Sequence, residues 1–146
     1  MRNVLYSFLV LGLLFSCGPK EGQQDLGATE FQTALTAESK AQILDVRTAG
    51  EFQGGHIEGA LNADVISVSF QQVASSLDKD IIVFVYCLSG ARSASAAGML
   101  QEMGFKSIVN LTGGMLAWQS ANLPVATGEA KPAGSATVRH RPAPPR

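Results

Sequence analysis

Nucleophiles and metal ligands are scarce in this chain, which has two cysteines, Cys17 and Cys87, and two histidines. Cys87 stands in the stretch Tyr86-Cys87-Leu88-Ser89-Gly90-Ala91-Arg92. A cysteine attacks as its thiolate, and a free thiol has a pKa of about 8.5 that a helix N-terminus or a nearby cation lowers. This stretch offers both. The backbone amides of Leu88, Ser89, Gly90, Ala91 and Arg92 can close into a concave nest for an anion, and the glycine admits the backbone conformation a nest needs. A helix that follows adds its dipole, and Arg92 adds a full positive charge. Such a cradle suits a thiolate, a persulfide anion or an incoming oxyanion. Cys87 is read as the catalytic nucleophile and residues 88–92 as the loop that binds substrate. A buried cysteine can also be inert, but the position between a strand and a helix start favours reactivity. His56 lies among turn glycines and is read as structural, because a thiolate held by a nest needs no base. Two cysteines are too few for a disulfide scaffold or a four-ligand zinc site, so neither a metal nor a cofactor is expected.

The elements around this stretch must hold it in place. Ile81 to Val85 is an unbroken apolar run, the pattern of a strand buried on both faces of a parallel sheet. Arg92 to Met103 follows as a helix whose first turns are small residues. Gly104 is placed to end it in the left-handed conformation, with Phe105 closing a Schellman contact. Upstream, Gln24–Leu26 reads as a short edge strand, and Thr29 as the N-cap of a helix over Glu30–Ser39 with Gln32 in capping-box position. Gln42–Val46 is a buried strand ending in the charged pair Asp45 and Arg47. The glycines of 51–62 mark turns rather than a long element. Ala63–Ile66 reads as a weak strand, and Ser67 as the N-cap of a helix through Leu77. Downstream, Ser107–Leu111 is a strand, and Gly113-Gly114 opens a last helix over Met115–Ser120 with Trp118 as its core anchor. Alternating strands and helices predict an α/β domain over residues 24–124 with a mainly parallel central sheet, flanked by helices on both faces. In such sheets ligands bind beyond the carboxyl ends of strands, which is where Cys87 falls.

The two ends of the chain read differently. Val4 to Phe15 is a run of twelve residues, apolar apart from Ser7 and Gly12, behind a single charge at Arg2. It is shorter than the roughly twenty residues of a membrane-spanning helix and fits the core of a secretory signal over residues 1–16. Leu14-Phe15-Ser16-Cys17 resembles the lipobox of bacterial lipoproteins. That resemblance implies cleavage before Cys17, lipid on its sulfur, a tether over 17–23, and a place in the bacterial cell envelope facing the periplasm or the exterior. Cys87 would then be the sole thiol of the mature protein. Residues 125–146, rich in Ala and Pro and carrying Lys131, Arg139, Arg141 and Arg146, read as a disordered basic tail. Residues 17–128 carry six Lys/Arg against eleven Asp/Glu, a balance that argues against a nucleic-acid-binding stripe.

Several motifs occur together in order. Leu44-Asp45-Val46-Arg47, Glu51-Phe52, Gly55-His56-Ile57, Gly59-Ala60 and Asn62 resemble the first-half signature of the rhodanese family. Tyr86-Cys87-x-x-Gly90-x-Arg92-Ser93 resembles its active-site loop, and Gly104-Phe105 with Leu111-x-Gly113-Gly114-x-x-x-Trp118 its closing segment. The family often has Ile-Pro after the asparagine, where this chain has Ala63-Asp64. The resemblance implies a rhodanese-like domain and a sulfurtransferase of the thiosulfate sulfurtransferase kind. Cys87 would take sulfane sulfur from a donor such as thiosulfate and hold it as a persulfide. A thiophilic acceptor (cyanide, a thiol or a partner protein) would then collect it, with Asp45 and Arg47 bracing the site. A non-catalytic binding or sulfide-sensing module, and a persulfide carrier serving a partner protein, are the alternatives. The related dual-specificity phosphatases have a longer loop, with five residues between Cys and Arg. The four found here make a smaller cradle, suited to sulfur rather than phosphate.

Overall fold

A computed structural model of the chain describes residues 22–129. The elements in chain order are β1 (Gln23–Leu26), α1 (Ala28–Ala37), β2 (Gln42–Asp45), α2 (Ala49–Gly54), β3 (Leu61–Asn62), α3 (Ser69–Ser76), β4 (Val83–Tyr86), α4 (Ala91–Glu102), β5 (Ile108–Leu111) and α5 (Gly114–Ser120).

 The sheet order is β1-β5-β4-β2-β3, and every neighbouring pair is parallel. β4 is the central strand, and all four of its residues are buried.

Side chains alternate across a strand, so β4 feeds two cores. Val83, Val85 and Cys87 pack on one face with Phe70 and Ala74 of α3 and Ala96, Ala97 and Leu100 of α4. Phe84 and Tyr86 pack on the other face with Phe31 of α1, Phe52 of α2, and Met115 and Trp118 of α5. Phe31 meets Phe84 and Trp118 edge-on, with ring centroids 5.1 and 6.2 Å apart. The Trp118 Nε1–H donates to the Pro124 carbonyl at 2.8 Å, which satisfies its one polar atom. The expected α/β architecture, with helices on both faces, is what the chain adopts. The helices after the adjacent strands β2 and β4 lie on opposite faces, so the chain parts above these strand ends and leaves a crevice there.

Several local expectations shift. α1 begins at Ala28 rather than Glu30, because the Phe31 amide bonds the Gly27 carbonyl at 2.8 Å. Gly27 is therefore the N-cap, and Thr29 makes no capping bond. The stretch read as turns rather than a long element overlaps the short helix α2, of six residues. Thr48 and Glu51 form a reciprocal capping box around its start, a local gain that outweighs the glycines behind it. The strand expected over Ala63–Ile66 lies earlier, at Leu61–Asn62, paired with Leu44 and Asp45. Asp64 Oδ1 accepts the Ile66 amide at 3.1 Å and turns the chain out of the sheet. α3 begins at Ser69 with Val68 as N-cap, although Ser67 Oγ still accepts the Ser69 amide at 3.2 Å. α4 ends as expected, with the Phe105 amide on the Leu100 carbonyl at 3.1 Å and the Gly104 amide on the Gln101 carbonyl at 3.0 Å.

The boundaries drawn at either end also move. Gln23, assigned to the tether, is the first residue of β1. The tail expected from residue 125 is bound to the domain at its start. Ala126 pairs with His56 through two 2.9 Å backbone bonds, and the Gly128 amide reaches the Gln53 carbonyl at 3.1 Å. These are backbone bonds, so no side-chain pattern announces them. The signal segment, Cys17 and residues 130–146 lie outside the described residues.

Candidate active site

Cys87 leaves the carboxyl end of β4 and is itself fully buried, while Leu88 beyond it is exposed. Its chain turns sharply into α4 through Gly90, whose φ of +102° is left-handed backbone suited to glycine. This turn brings the Gly90 amide to 3.1 Å from Cys87 Sγ, donating to it. Burial alone would raise the thiol pKa. Against it act the Ser93 hydroxyl and the amides of Ser93, Gly90 and Ser89, and the net shift is downward. The cradle thus holds a thiolate more readily than water does. The amides bearing on the sulfur are those of Ser89 and Gly90, from the loop over residues 88–92, and that of Ser93 just beyond it.

The loop is clamped from above by α5. The Met115 amide donates to the Cys87 carbonyl at 2.9 Å, and the Leu116 amide to the Leu88 carbonyl at 3.1 Å. This approach leaves no room for a side chain at Gly114. A Cβ there would sit 2.4 Å from the Cys87 carbonyl oxygen, and its φ is +56°. The Gly113-Gly114 pair is therefore part of the site's construction, not merely a loop before a helix.

Arg92 lies in the first turn of α4, close enough to Cys87 for their charges to interact. It forms a two-pronged ion pair with Glu51 of α2, at 3.0 Å from Nη1 to Oε2 and 2.7 Å from Nη2 to Oε1. Arg92, with help from the Thr48 bonds, draws the Glu51 carboxyl down to about 2 in spite of its partial burial. The same carboxylate accepts the Thr48 amide at 3.0 Å. One side chain thus caps α2 and ties it to α4 across the crevice.

Asp45 and Arg47 sit beside the loop, at the end of β2. Both are buried, and they are joined by three side-chain bonds of 2.5 to 3.0 Å. Arg47 Nη2 also donates to the Gly55 carbonyl at 2.7 Å, and its guanidinium lies 5.7 Å from the centroid of the Tyr86 ring. The Tyr86 hydroxyl accepts the Ile57 amide at 3.0 Å. Burial and the Asp45 charge hold this phenol far above its ordinary pKa, so it stays protonated. His56 stacks on Phe52 at 3.7 Å, and its Nδ1 donates to the Phe52 carbonyl at 2.9 Å. These bonds give it the structural part read from its turn glycines. Three residues named in the motifs had no role assigned from the sequence: Ser93, Glu51 and Gly114. Glu51 had a local signal in Thr48-x-x-Glu51, whereas its bond to Arg92 spans 41 positions and has none. Among the described residues, no group of three or more His, Cys, Asp or Glu could hold a metal ion.

A buried thiol at a switch point in a parallel sheet, facing inward-turned amides, defines a cysteine-dependent α/β domain. Residues 27–121 match the family described as the rhodanese-like domain, and the chain belongs to that family. It is 37% identical over 116 residues to thiosulfate sulfurtransferase 18 of Arabidopsis thaliana, covering 71% of this chain and 85% of the relative. It is 34% identical over 88 residues to the thiosulfate sulfurtransferase GlpE of Shewanella oneidensis, covering 60% of this chain and 85% of the relative. The crystal structure of a rhodanese-related protein from Thermoplasma volcanium superposes with a TM-score of 0.62 at 27% identity, covering 70% of this chain and 97% of that one. By this membership the chain is an enzyme of the sulfurtransferase class.

Proposed function

We propose that the chain moves sulfane sulfur from a donor to a thiophilic acceptor through a persulfide on Cys87. The observation that carries this reading is the buried thiol with the Gly90 amide on its sulfur and its pKa drawn down. With thiosulfate as donor, the Cys87 thiolate attacks the outer sulfur. The Sγ–S bond forms, the S–S bond of the donor breaks, and its electron pair leaves with sulfite. The product is the Cys87 persulfide anion, whose charge the same amides receive. An acceptor such as cyanide then attacks the outer sulfur, forms thiocyanate and returns the thiolate. The two relatives named thiosulfate sulfurtransferase support thiosulfate as the first donor to try. The test is thiocyanate release from thiosulfate and cyanide by the whole protein and by Cys87→Ser. The variant is expected to fold and to be inactive, and full activity in it would end the proposal.

The proposal extends to export and anchoring. Its support is the apolar run Val4–Phe15 closed by Leu14-Phe15-Ser16-Cys17, with stable attachment requiring more than one acyl chain. Palmitate labelling in a bacterial host is expected for the natural chain and lost in Cys17→Ser. Labelling that persists in the variant would refute the lipid on Cys17.

A further inference from the structure

Charge and apolar surface are unevenly placed over this domain. The described residues include five Lys and Arg: Lys40, Arg47, Lys79, Arg92 and Lys106. Lys40, Lys79 and Lys106 lie just before β2, β4 and β5, at the amino edge of the sheet and away from Cys87. Arg47 and Arg92, at the carboxyl edge, are each held by a carboxylate, Asp45 and Glu51. Asp64, in the loop after β3, adds a negative charge close enough to act on Arg92. The edge that carries the thiol therefore offers an incoming dianion no unpaired cation among the described residues.

That same edge carries apolar surface. Leu88 is 38% exposed and Leu116 is 53% exposed, and the two are joined through their backbones beside Cys87. Ile66 and Val68, in the loop after β3 at the same edge of the sheet, are 79% and 80% exposed. Exposed large apolar side chains gathered on one edge mark a surface that gains from being covered. Sulfite is a poor fit there, because its charged oxygens would leave water to face leucines and an aspartate.

We infer that the donor class this site favours is an organic persulfide, R–S–SH, whose R group is neutral and apolar where it meets Leu88 and Leu116. The inference rests on Cys87 being the sulfur acceptor. The thiolate attacks the outer sulfur of R–S–SH, the Sγ–S bond forms, the donor S–S bond breaks, and its electron pair leaves as the thiolate R–S⁻. The proton stays on the transferred sulfur. The amides of Ser89, Gly90 and Ser93 receive the sulfur, and the apolar rim covers R.

The test compares rates of sulfur loading onto Cys87, read by intact mass in quenched reactions of the whole protein. The donors are thiosulfate, benzyl persulfide and a persulfide carried on the single cysteine of a protein. Each rate is divided by that of free cysteine with the same donor, which removes intrinsic reactivity. Benzyl persulfide is expected to exceed thiosulfate by at least about tenfold on this scale, as burying part of one ring supplies. Leu116→Ser lowers that ratio, and Leu88→Lys lowers it further by bringing a cation to the mouth. A faster protein-borne donor identifies a protein source, and a faster benzyl persulfide a small-molecule one; either order upholds the class. A normalised thiosulfate rate equal to or above both persulfides overturns the inference while leaving the Cys87 persulfide intact. Loading from none of the three donors overturns both.

Discussion

β2 and β4 run side by side in register, Asp45 opposite Tyr86, and their ends are built for different ends. β2 finishes in the Asp45–Arg47 pair, buried, with the guanidinium shared among the carboxylate, the Gly55 carbonyl and the face of Tyr86. β4 is followed directly by Cys87, equally buried, whose sulfur accepts the Gly90 amide and has no opposite charge bonded to it among the described residues. In the first region each charge meets its opposite, so nothing is left to react. In the second, the donors face an atom that can carry charge or give it up. On the function proposed above, bracing and chemistry are divided between adjacent strands. The crevice between α2 and α4 lies over both, closed on its far side by Glu51 and Arg92.

Changes in either region should separate these two jobs. Arg47→Met leaves the buried Asp45 without its cation, and is expected to cost about 3–5 kcal/mol of stability. Urea unfolding measures that loss, while activity per folded molecule should fall far less than in Cys87→Ser. Gly114→Ala should do the reverse in part. Its Cβ presses on the carbonyls of Cys87 and Leu88, so it is expected to destabilise by about 1–3 kcal/mol and to lower sulfur loading in the fraction that stays folded. Ser93→Ala removes one of the bonds that lower the Cys87 pKa. The thiolate is the reactive form, so loading rises as pH passes upward through that pKa. The variant's half-maximal pH should move upward, with a several-fold loss at neutral pH, read from iodoacetamide alkylation against pH. A profile that does not move would show that the Ser93 hydroxyl has no part in holding the thiolate.

Glu51→Gln should be the mildest for stability, at about 1 kcal/mol for the weakened cap and ion pair. The Glu51 carboxyl is drawn down to about 2, so its contribution is present above the ordinary glutamate range and is lost as pH falls toward 2. The variant's stability should therefore change less than the natural protein's over that acid window, as thermal unfolding at a series of pH values would show. The same variant frees Arg92 and should raise thiosulfate loading relative to benzyl persulfide.

Much of the architecture, and the place of Cys87 between β4 and α4, could be read from the chain. Ile81–Val85 announced a buried strand, although Ile81 and Ile82 are only half-buried and the strand begins at Val83. The small residues after Gly90 announced a helix packed close to the sheet, and Gly104-Phe105 announced its end. What stayed hidden was non-local or purely backbone. α2 is short and holds two glycines, so its capping box was outvoted by residues that mark turns. The Arg92 bond to Glu51 stayed hidden because that partner lies on another helix, far off in sequence. The bridge between His56 and Ala126 uses no side chain at all. Sequence patterns report which face of an element is buried, and they report poorly which distant polar group completes a pair.

The central claim is that Cys87 carries sulfur between donor and acceptor. The most direct measurement is the intact mass of the protein after incubation with a sulfane-sulfur donor, with peptide mapping and a cyanide chase. The account predicts a gain of one sulfur atom located on Cys87, removed by cyanide as thiocyanate and absent in Cys87→Ser. An unchanged mass at Cys87 under donors that load free cysteine would contradict it.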